Sequence, residues 1–373
     1  MKLSDYITEK ISVEDMRQYI NNTVNTLGDS NISHIYNYIR AHGGDEKMYD
    51  FLKEKFPLGG DIVIKNIIRI IIDNGCVDDM DNIISGGPLI TWDAFEQGDN
   101  IVKLIHDLGY GVNDGFIEDM MDLQLKLSGK NVGEGETLLQ LFLDGGHMSK
   151  VGDVGVGKDK IVEIKSTNSH FTGQTGWGKG SSVSKYFLSN IEKYPALYNI
   201  YINHENDFAR SKYQMWYKSD KDIKTSGFCQ FIIDAKDNDL YEDLLEITSD
   251  SISNLYTDTS ILSSKDILNF FKDVDIFDEK NKNLNGIKIC NCLAALDLYY
   301  YMGKEKSFTH LCVMGGLKSS TNRKYKYKLF SRDDFSTIKS SYEQICNYMS
   351  TDCPNTKPGA TAQDSFTGIN IKG

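Results

Sequence analysis

Asp153, Glu163 and Lys165 are the residues whose types and spacing point most directly to chemistry. They punctuate the stretch Gly152-Asp153-Val154-Gly155-Val156-Gly157-Lys158-Asp159-Lys160-Ile161-Val162-Glu163-Ile164-Lys165. Apolar and polar residues alternate on both sides of a three-residue turn at 157–159, which predicts two short antiparallel strands with Gly157 supplying the positive φ. In that register Val156 faces Lys160, Val154 faces Val162, and Asp153 stands opposite Glu163. Directly opposed residues have Cβ atoms about 4.5–5.5 Å apart. Two carboxylates that close repel unless a cation lies between them, and the Lys165 ammonium follows two residues along. This is the geometry of a hard-metal site with a charged group beside it. On this reading neither carboxylate packs in the core, and Gly152 and Gly155 leave room beside Asp153 for a ligand. The plainer alternative is the solvated, charged face of an exposed hairpin.

The flanking segments must hold that hairpin. Lys130 to Gly135 reads as a loop, and Glu136 to Leu143 as a short amphipathic helix stopped at Asp144-Gly145-Gly146. Glu136 serves either as a favourable charge at a helix start or as a further group at the site, with Glu134 as its rival. Ser166 to Ser182 is rich in Gly, Ser and Thr. It is either a connector or a functional loop, whose His170, Gln174, Trp177 and Lys179 could touch a nucleic-acid backbone or base. Residues 183–285 read as helices, including Val183 to Tyr194 and Leu240 to Ile247. Ile287 to Met302 is a patterned helix with Ile289, Leu293, Leu296 and Tyr300 on one side and Gly303 as its stop. Phe308 to Met314 is an apolar strand, and Tyr325 to Phe330 an alternating one. A final helix carries Phe335, Ile338, Tyr342, Ile345 and Met349, and the tail from Pro354 looks loose. The triplet Tyr299-Tyr300-Tyr301 reads as packing.

Asp153, nine intervening residues and then Glu163-Ile164-Lys165, with Gly135-Glu136 upstream, resembles the signature of the PD-(D/E)xK nuclease superfamily, and looks most like its phage-type members. The resemblance covers about 80–90 residues, the size of a small single core. It implies an α/β fold: a restriction-endonuclease-like core, with a mixed central sheet flanked by helices, built from 131–182 and 286–350. Residues 183–285 would be a helical insertion, 1–130 an all-helical N-terminal domain, and 351–373 a flexible tail. It further implies a Mg²⁺-dependent nuclease, with Mn²⁺ as a substitute, that hydrolyses DNA phosphodiester bonds, in the first instance an endonuclease of phage origin. Asp153, Glu163 and the carbonyl of Ile164 would hold the metal, and Glu136 would be an outer ligand or water holder. Lys165 would orient or deprotonate the attacking water, its pKa lowered by burial near a cation. A catalytically silent nuclease fold used as a scaffold or DNA-binding protein is the first rival reading, and an RNA-directed nuclease the second.

Lys318, Arg323, Lys324, Lys326, Lys328 and Arg332, interleaved with Tyr325 and Tyr327, form the one dense basic cluster. It is either the solvated face of an edge strand or a strip that contacts phosphates. Gly152 to Lys158 fits a phosphate-loop spacing, but Asp159 and a strand follow where Ser or Thr and a helix are needed, so nucleotide binding is set aside.

The net charge of −12 argues against simple coating of DNA, yet its distribution matters more. Residues 1–130 hold 22 acids against 12 bases, so ten of the twelve excess negatives lie there. Helical spacings run through Ile35, Tyr38, Ile39, Met48, Phe51 and Leu52. Ile62 to Ile72 is apolar on nearly every side, which predicts a buried helix closed by Asn74-Gly75. Ile101, Leu104 and Ile105 repeat the pattern before Gly109, and His106 reads as structural. Seven cysteines without a metal or redox spacing suggest reduced thiols and a cytoplasmic chain, in a host's cytoplasm if viral. No run of about 20 apolar residues predicts a membrane span. A homodimer is compatible with all of this.

Overall fold

The computed structural model describes residues 47–372 except 124, 127–130, 134, 166–181, 212–226, 255, 281–282, 305–306, 316–323 and 353–367, together with 37, 39–41 and 44. Six helices lead the described chain: α1 (Lys47–Lys55), α2 (Gly60–Asp73), α3 (Val77–Ile84), α4 (Trp92–Gln97), α5 (Ile101–Asp107) and α6 (Asp114–Met121). A two-stranded ribbon of β1 (Leu125–Lys126) and β2 (Asn131–Val132) follows, so the stretch to residue 130 is not wholly helical, nor Lys130 to Gly135 wholly loop. Then come α7 (Glu136–Phe142), β3 (Gly146–Met148), β4 (Val154–Val156) and β5 (Lys160–Lys165). The middle of the chain holds α8 (Ser182–Asn190), α9 (Pro195–Ser211), α10 (Gly227–Asp237), α11 (Tyr241–Ser253) and α12 (Ser264–Val274). A second small ribbon, β6 (Glu279–Lys280) with β7 (Asn283–Leu284), ends that helical segment. The chain closes with α13 (Gly286–Lys304), β8 (His310–Met314), β9 (Tyr327–Ser331), α14 (Ile338–Tyr348), β10 (Met349–Asp352) and β11 (Gly368–Ile371).

The fold is mixed α/β around one five-stranded sheet of order β3-β4-β5-β8-β9. Only β5 and β8 run parallel; the other neighbours are antiparallel. A parallel pair needs a long crossover, and here the whole middle helical segment plus α13 lies between its two strands.

Both faces of the sheet are covered, and strand alternation sorts residues between two cores. Val154, Val156, Val162, Ile164, Cys312, Met314 and Tyr327 join the helices of 47–142 in one cluster. Leu311, Val313 and Phe330 join the middle helices, α13 and α14 in the other. The leading helices therefore share their core with the sheet. Main-chain bonds stitch them down: Tyr327 N–H donates to Asp99 O at 2.8 Å, and Ile101 N–H to Tyr325 O at 3.0 Å.

Three helices differ from the periodicity reading. In α7 every residue is buried, so it is not amphipathic. It sits between the leading helices and the sheet, and Leu138, Leu139, Leu141 and Phe142 contribute about 1.5–3 kcal/mol each by leaving water. α2 ends at Asn74 and Gly75 (φ +70°), as the sequence predicts, but Ile62 is exposed and burial follows one stripe through Val63, Ile64, Ile67, Ile68 and Ile71. α13 runs through Gly303 to Lys304, because it is buried along most of its length and packing outweighs one glycine's cost.

Cys76, Cys292, Cys312 and Cys346 are free thiols, whereas Cys290 is disulfide-bonded, against the expectation of a fully reduced set. Among the described residues no helix is long and apolar enough to cross a membrane.

The expected loose tail is also corrected in part. β11 pairs antiparallel with β10 from Met349↔Ile371 to Asp352↔Gly368, and Ile371 is buried in the second core. Ile371→Ala should therefore cost about 2–5 kcal/mol in a denaturant titration. An unchanged midpoint would mean that the last strand does not pack.

Candidate active site

The β4–β5 hairpin turns at 157–159 with Gly157 at φ +63°. Its pairs are Val154↔Val162, Gly155↔Ile161 and Val156↔Lys160, the register read from the sequence. Asp153 lies one residue beyond β4, and its N–H still donates to Val162 O at 2.9 Å. Strand pairing stops at Val154↔Val162, and this bond is one residue out of its register, so the expected Asp153–Glu163 pair does not form part of the ladder. The Asp153 carboxylate reaches across the strands, Oδ2 accepting the Ile164 N–H at 2.7 Å. Its carbonyl accepts from Gln140 Nε2 at 2.9 Å.

Glu163 is 8 % exposed, which corrects the expectation that both carboxylates stand clear of the core. Oε1 accepts two hydrogen bonds, from Lys165 Nζ at 2.5 Å and from Tyr301 OH at 2.5 Å. α13 supplies that tyrosine, and its ring also lies 5.4 Å from the Lys165 ammonium and 5.6 Å from the Phe308 ring. A buried carboxylate needs such partners, since an unpaired charge inside a protein is strongly unfavourable.

Burial acts to lower the pKa of Lys165. The carboxylates of Glu163, Asp153 and Glu136 outweigh it and hold the ammonium above the ordinary lysine value. The expected lowering is therefore not what these carboxylates produce by themselves. The Gln140 bond to the Asp153 carbonyl places α7 beside the hairpin. Gly135 enters the helix at φ +80°, and Glu136, 6 % exposed, accepts the Gly133 N–H on Oε1 at 2.7 Å.

The two glycines serve other ends than ligand approach. Gly152 has φ +65°, and a Cβ there would meet Ile161 Cγ2 at 2.6 Å. A Cβ on Gly155 would strike the His147 imidazole, with Nε2 at 2.5 Å. Ile164 turns its side chain into the first core, so only its main chain faces the site.

The basic strip divides. Lys324 is ion-paired with Glu118 of α6, which also accepts from Tyr325 OH at 3.1 Å. That lysine is bound to the leading helices. Lys328 is different: Lys165 pairs with Val313, and Val313 with Lys328, so the two lysines share one row and one face. Neighbouring strands are about 4.8 Å apart, which puts their Cα atoms about 10 Å apart. Lys328 Nζ lies 4.7 Å from the centroid of Tyr348. Lys326 follows by alternation, just before β9. Gln174, Lys179, Lys318 and Arg323, with His170 and Trp177, lie outside the described residues.

Tyr301 escapes a sequence reading because its partner lies 138 residues away, and Gln140 because a lone amide in a leucine-rich helix names no partner. The packing role assigned to the tyrosine triplet holds for Tyr300, which is fully buried and hydrogen-bonds the Asp258 N–H and the Thr257 hydroxyl. Tyr299 and Tyr301 also pack, partly buried, against the second core, and the Tyr301 hydroxyl adds a bond to Glu163. Among the described residues no three His, Cys, Asp or Glu side chains come together as a metal-holding group. Compared with family models, curated proteins and solved structures, the chain matches none.

Tyr301→Phe removes the hydroxyl from Glu163 and keeps the ring against Phe308. A hydrogen bond to a charged group contributes about 1.5–3 kcal/mol, and the variant should lose that much in equilibrium unfolding. A change within error would show the hydroxyl to be idle.

Proposed function

We propose that this chain is a Mg²⁺-dependent nuclease that hydrolyses DNA phosphodiester bonds through a restriction-endonuclease-like core. One observation carries the reading. At the carboxyl end of β5, Glu163 binds the Lys165 ammonium, the Asp153 carboxylate takes the Ile164 N–H between them, and both carboxylates hold the lysine charged. The element order supports it: α7, three antiparallel strands, a crossover ending in α13, then β8 parallel to β5. This is the order that the PD-(D/E)xK resemblance implies.

The donor set suits Mg²⁺. That ion takes one or two carboxylates and keeps waters and substrate phosphate oxygens in its octahedron. Asp153 and Glu163 with the Ile164 carbonyl are such a set, and a site of this kind needs no third acidic side chain. Bound there, the ion supplies polarisation of a phosphoryl oxygen and acidification of water. The protein's own part falls to Lys165. Its ammonium, released from Glu163, can orient the attacking water and offset the negative charge that grows on the phosphate. Lys326 and Lys328, on the same face, suit the flanking phosphates.

A silent scaffold has one observation in its favour: Glu163 Oε1 is already satisfied by Lys165 and Tyr301, as a purely structural ion pair would be. Cleavage assays separate the two. Asp153→Asn and Glu163→Gln keep shape and hydrogen-bonding capacity while removing charge, and each should abolish Mg²⁺-dependent cutting of plasmid and linear DNA. Lys165→Met should bind DNA and cut at least about a hundredfold more slowly, the typical loss for one transition-state interaction. Wild type inert on every DNA and RNA with Mg²⁺ or Mn²⁺ would hand the case to the scaffold. Cutting of RNA in preference to DNA would change the substrate and keep the chemistry.

Two lysines, rather than three, should count electrostatically. Lys326→Ala with Lys328→Ala should flatten the salt dependence of DNA binding by about 2 units of slope, one for each phosphate that goes unneutralised. Lys324→Ala should leave the slope unchanged, because Glu118 already neutralises it. An unchanged slope in the double variant would return both lysines to solvent.

A further inference from the structure

We propose that Gln140 is a positioning residue for Asp153, an inference that rests on the nuclease reading. Gln140 is fully buried in α7 among Leu138, Leu139, Leu141 and Phe142. Its Nε2 donates to the Asp153 carbonyl at 2.9 Å, while its Oε1 is buried without a hydrogen-bond partner. A buried polar atom left unbonded costs stability. An apolar side chain of the same length would serve the helix better, so what the amide adds is its hydrogen bond to Asp153.

That bond has a geometric consequence. Asp153 lies outside β4 and follows Gly152 at φ +65°, so it is not held as a strand residue. Two of its ties run to β5: its N–H to Val162 O, and its Oδ2 from the Ile164 N–H. Gln140 is the tie to α7. Glu136 stands one turn earlier on the same side of that helix, four residues being the spacing of one helical face. The amide therefore couples the position of Asp153 to α7, and so helps to set how Asp153 is placed relative to Glu163 and the Ile164 carbonyl.

The experiment uses the full chain with Mn²⁺ alone as the probe. Gln140→Met and Gln140→Leu remove the amide and keep an apolar filling. Both should bind Mn²⁺ about 10–100-fold more weakly by calorimetry, the usual effect of losing a group that orients a metal ligand. Hydrogen exchange at the Ile164 amide should speed up in both. Their thermal midpoints should stay level or rise, because the unbonded oxygen is gone. The cleavage rate should fall in parallel, with KM for DNA little changed. Thr137→Val is the control: it deletes a different buried, unbonded polar atom, a hydroxyl, from the same helix and should keep wild-type Mn²⁺ affinity. Wild-type affinity in both Gln140 variants, an equal loss in the Thr137 control, or loss of the fold in both Gln140 variants would each overturn the inference. Wild-type protein that neither binds Mn²⁺ nor cuts nucleic acid would instead remove the nuclease reading beneath it.

Discussion

Everything in this structure depends on the register of β5. It is the central strand, with β4 antiparallel on one side and β8 parallel on the other. Its side chains alternate between two cores: Val162 and Ile164 go to the leading helices, while Glu163 and Lys165 go to the face beneath α13. A slip of one residue would drive both charges into an apolar layer and both aliphatic residues out of it. The burial that stabilises the fold is thus the same constraint that aims the acid and the lysine.

The charged face is stabilised by its own geometry. Glu163 is buried, and Lys165 with Tyr301 supplies the hydrogen-bonding partners that a buried carboxylate needs. Such an arrangement gives little net stability compared with an apolar replacement, yet removing one partner leaves the other exposed to the full penalty. A fold has slender reason to keep it for stability alone. A phosphate-cleaving site has reason enough, since it needs a positive group beside hard oxygen donors.

What is legible in the sequence is local. The hairpin register follows from two-residue alternation and one turn glycine, and the pairs Val154↔Val162 and Val156↔Lys160 match it. The start of α7 at Glu136 follows from the short apolar run after Gly135. Long-range partners are the part that stays hidden. Tyr301 meets Glu163 across 138 positions, Gln140 is an ordinary polar letter inside a leucine-rich helix, and α7 carries no polar stripe to show that it lies between two layers. Gly152 and Gly155 are visible but ambiguous. A glycine beside a functional aspartate looks alike whether it clears a ligand, permits a positive φ or accommodates an imidazole, and here the last two hold. Lys324 likewise looks like its neighbours until Glu118 comes from more than 200 residues away.

The acidity of the chain can be reconciled with a polyanionic substrate by the two-faced sheet. Residues 47–121 carry 14 acids against 6 bases, and their helices pack on the face that holds Val162 and Ile164. Lys165 and Lys328 lie on the opposite face, and Lys326 follows them by alternation. Exposed charges farther apart than about 8–10 Å are largely screened at physiological salt, and the sheet with its two packed layers exceeds that distance. The negative helices therefore act only weakly on Lys165 and Lys328. Glu118 reaches around the edge of the sheet to take Lys324 out of that row. Net charge describes the whole surface, whereas the acidic excess of the leading helices and the lysine row belong to opposite faces of one sheet.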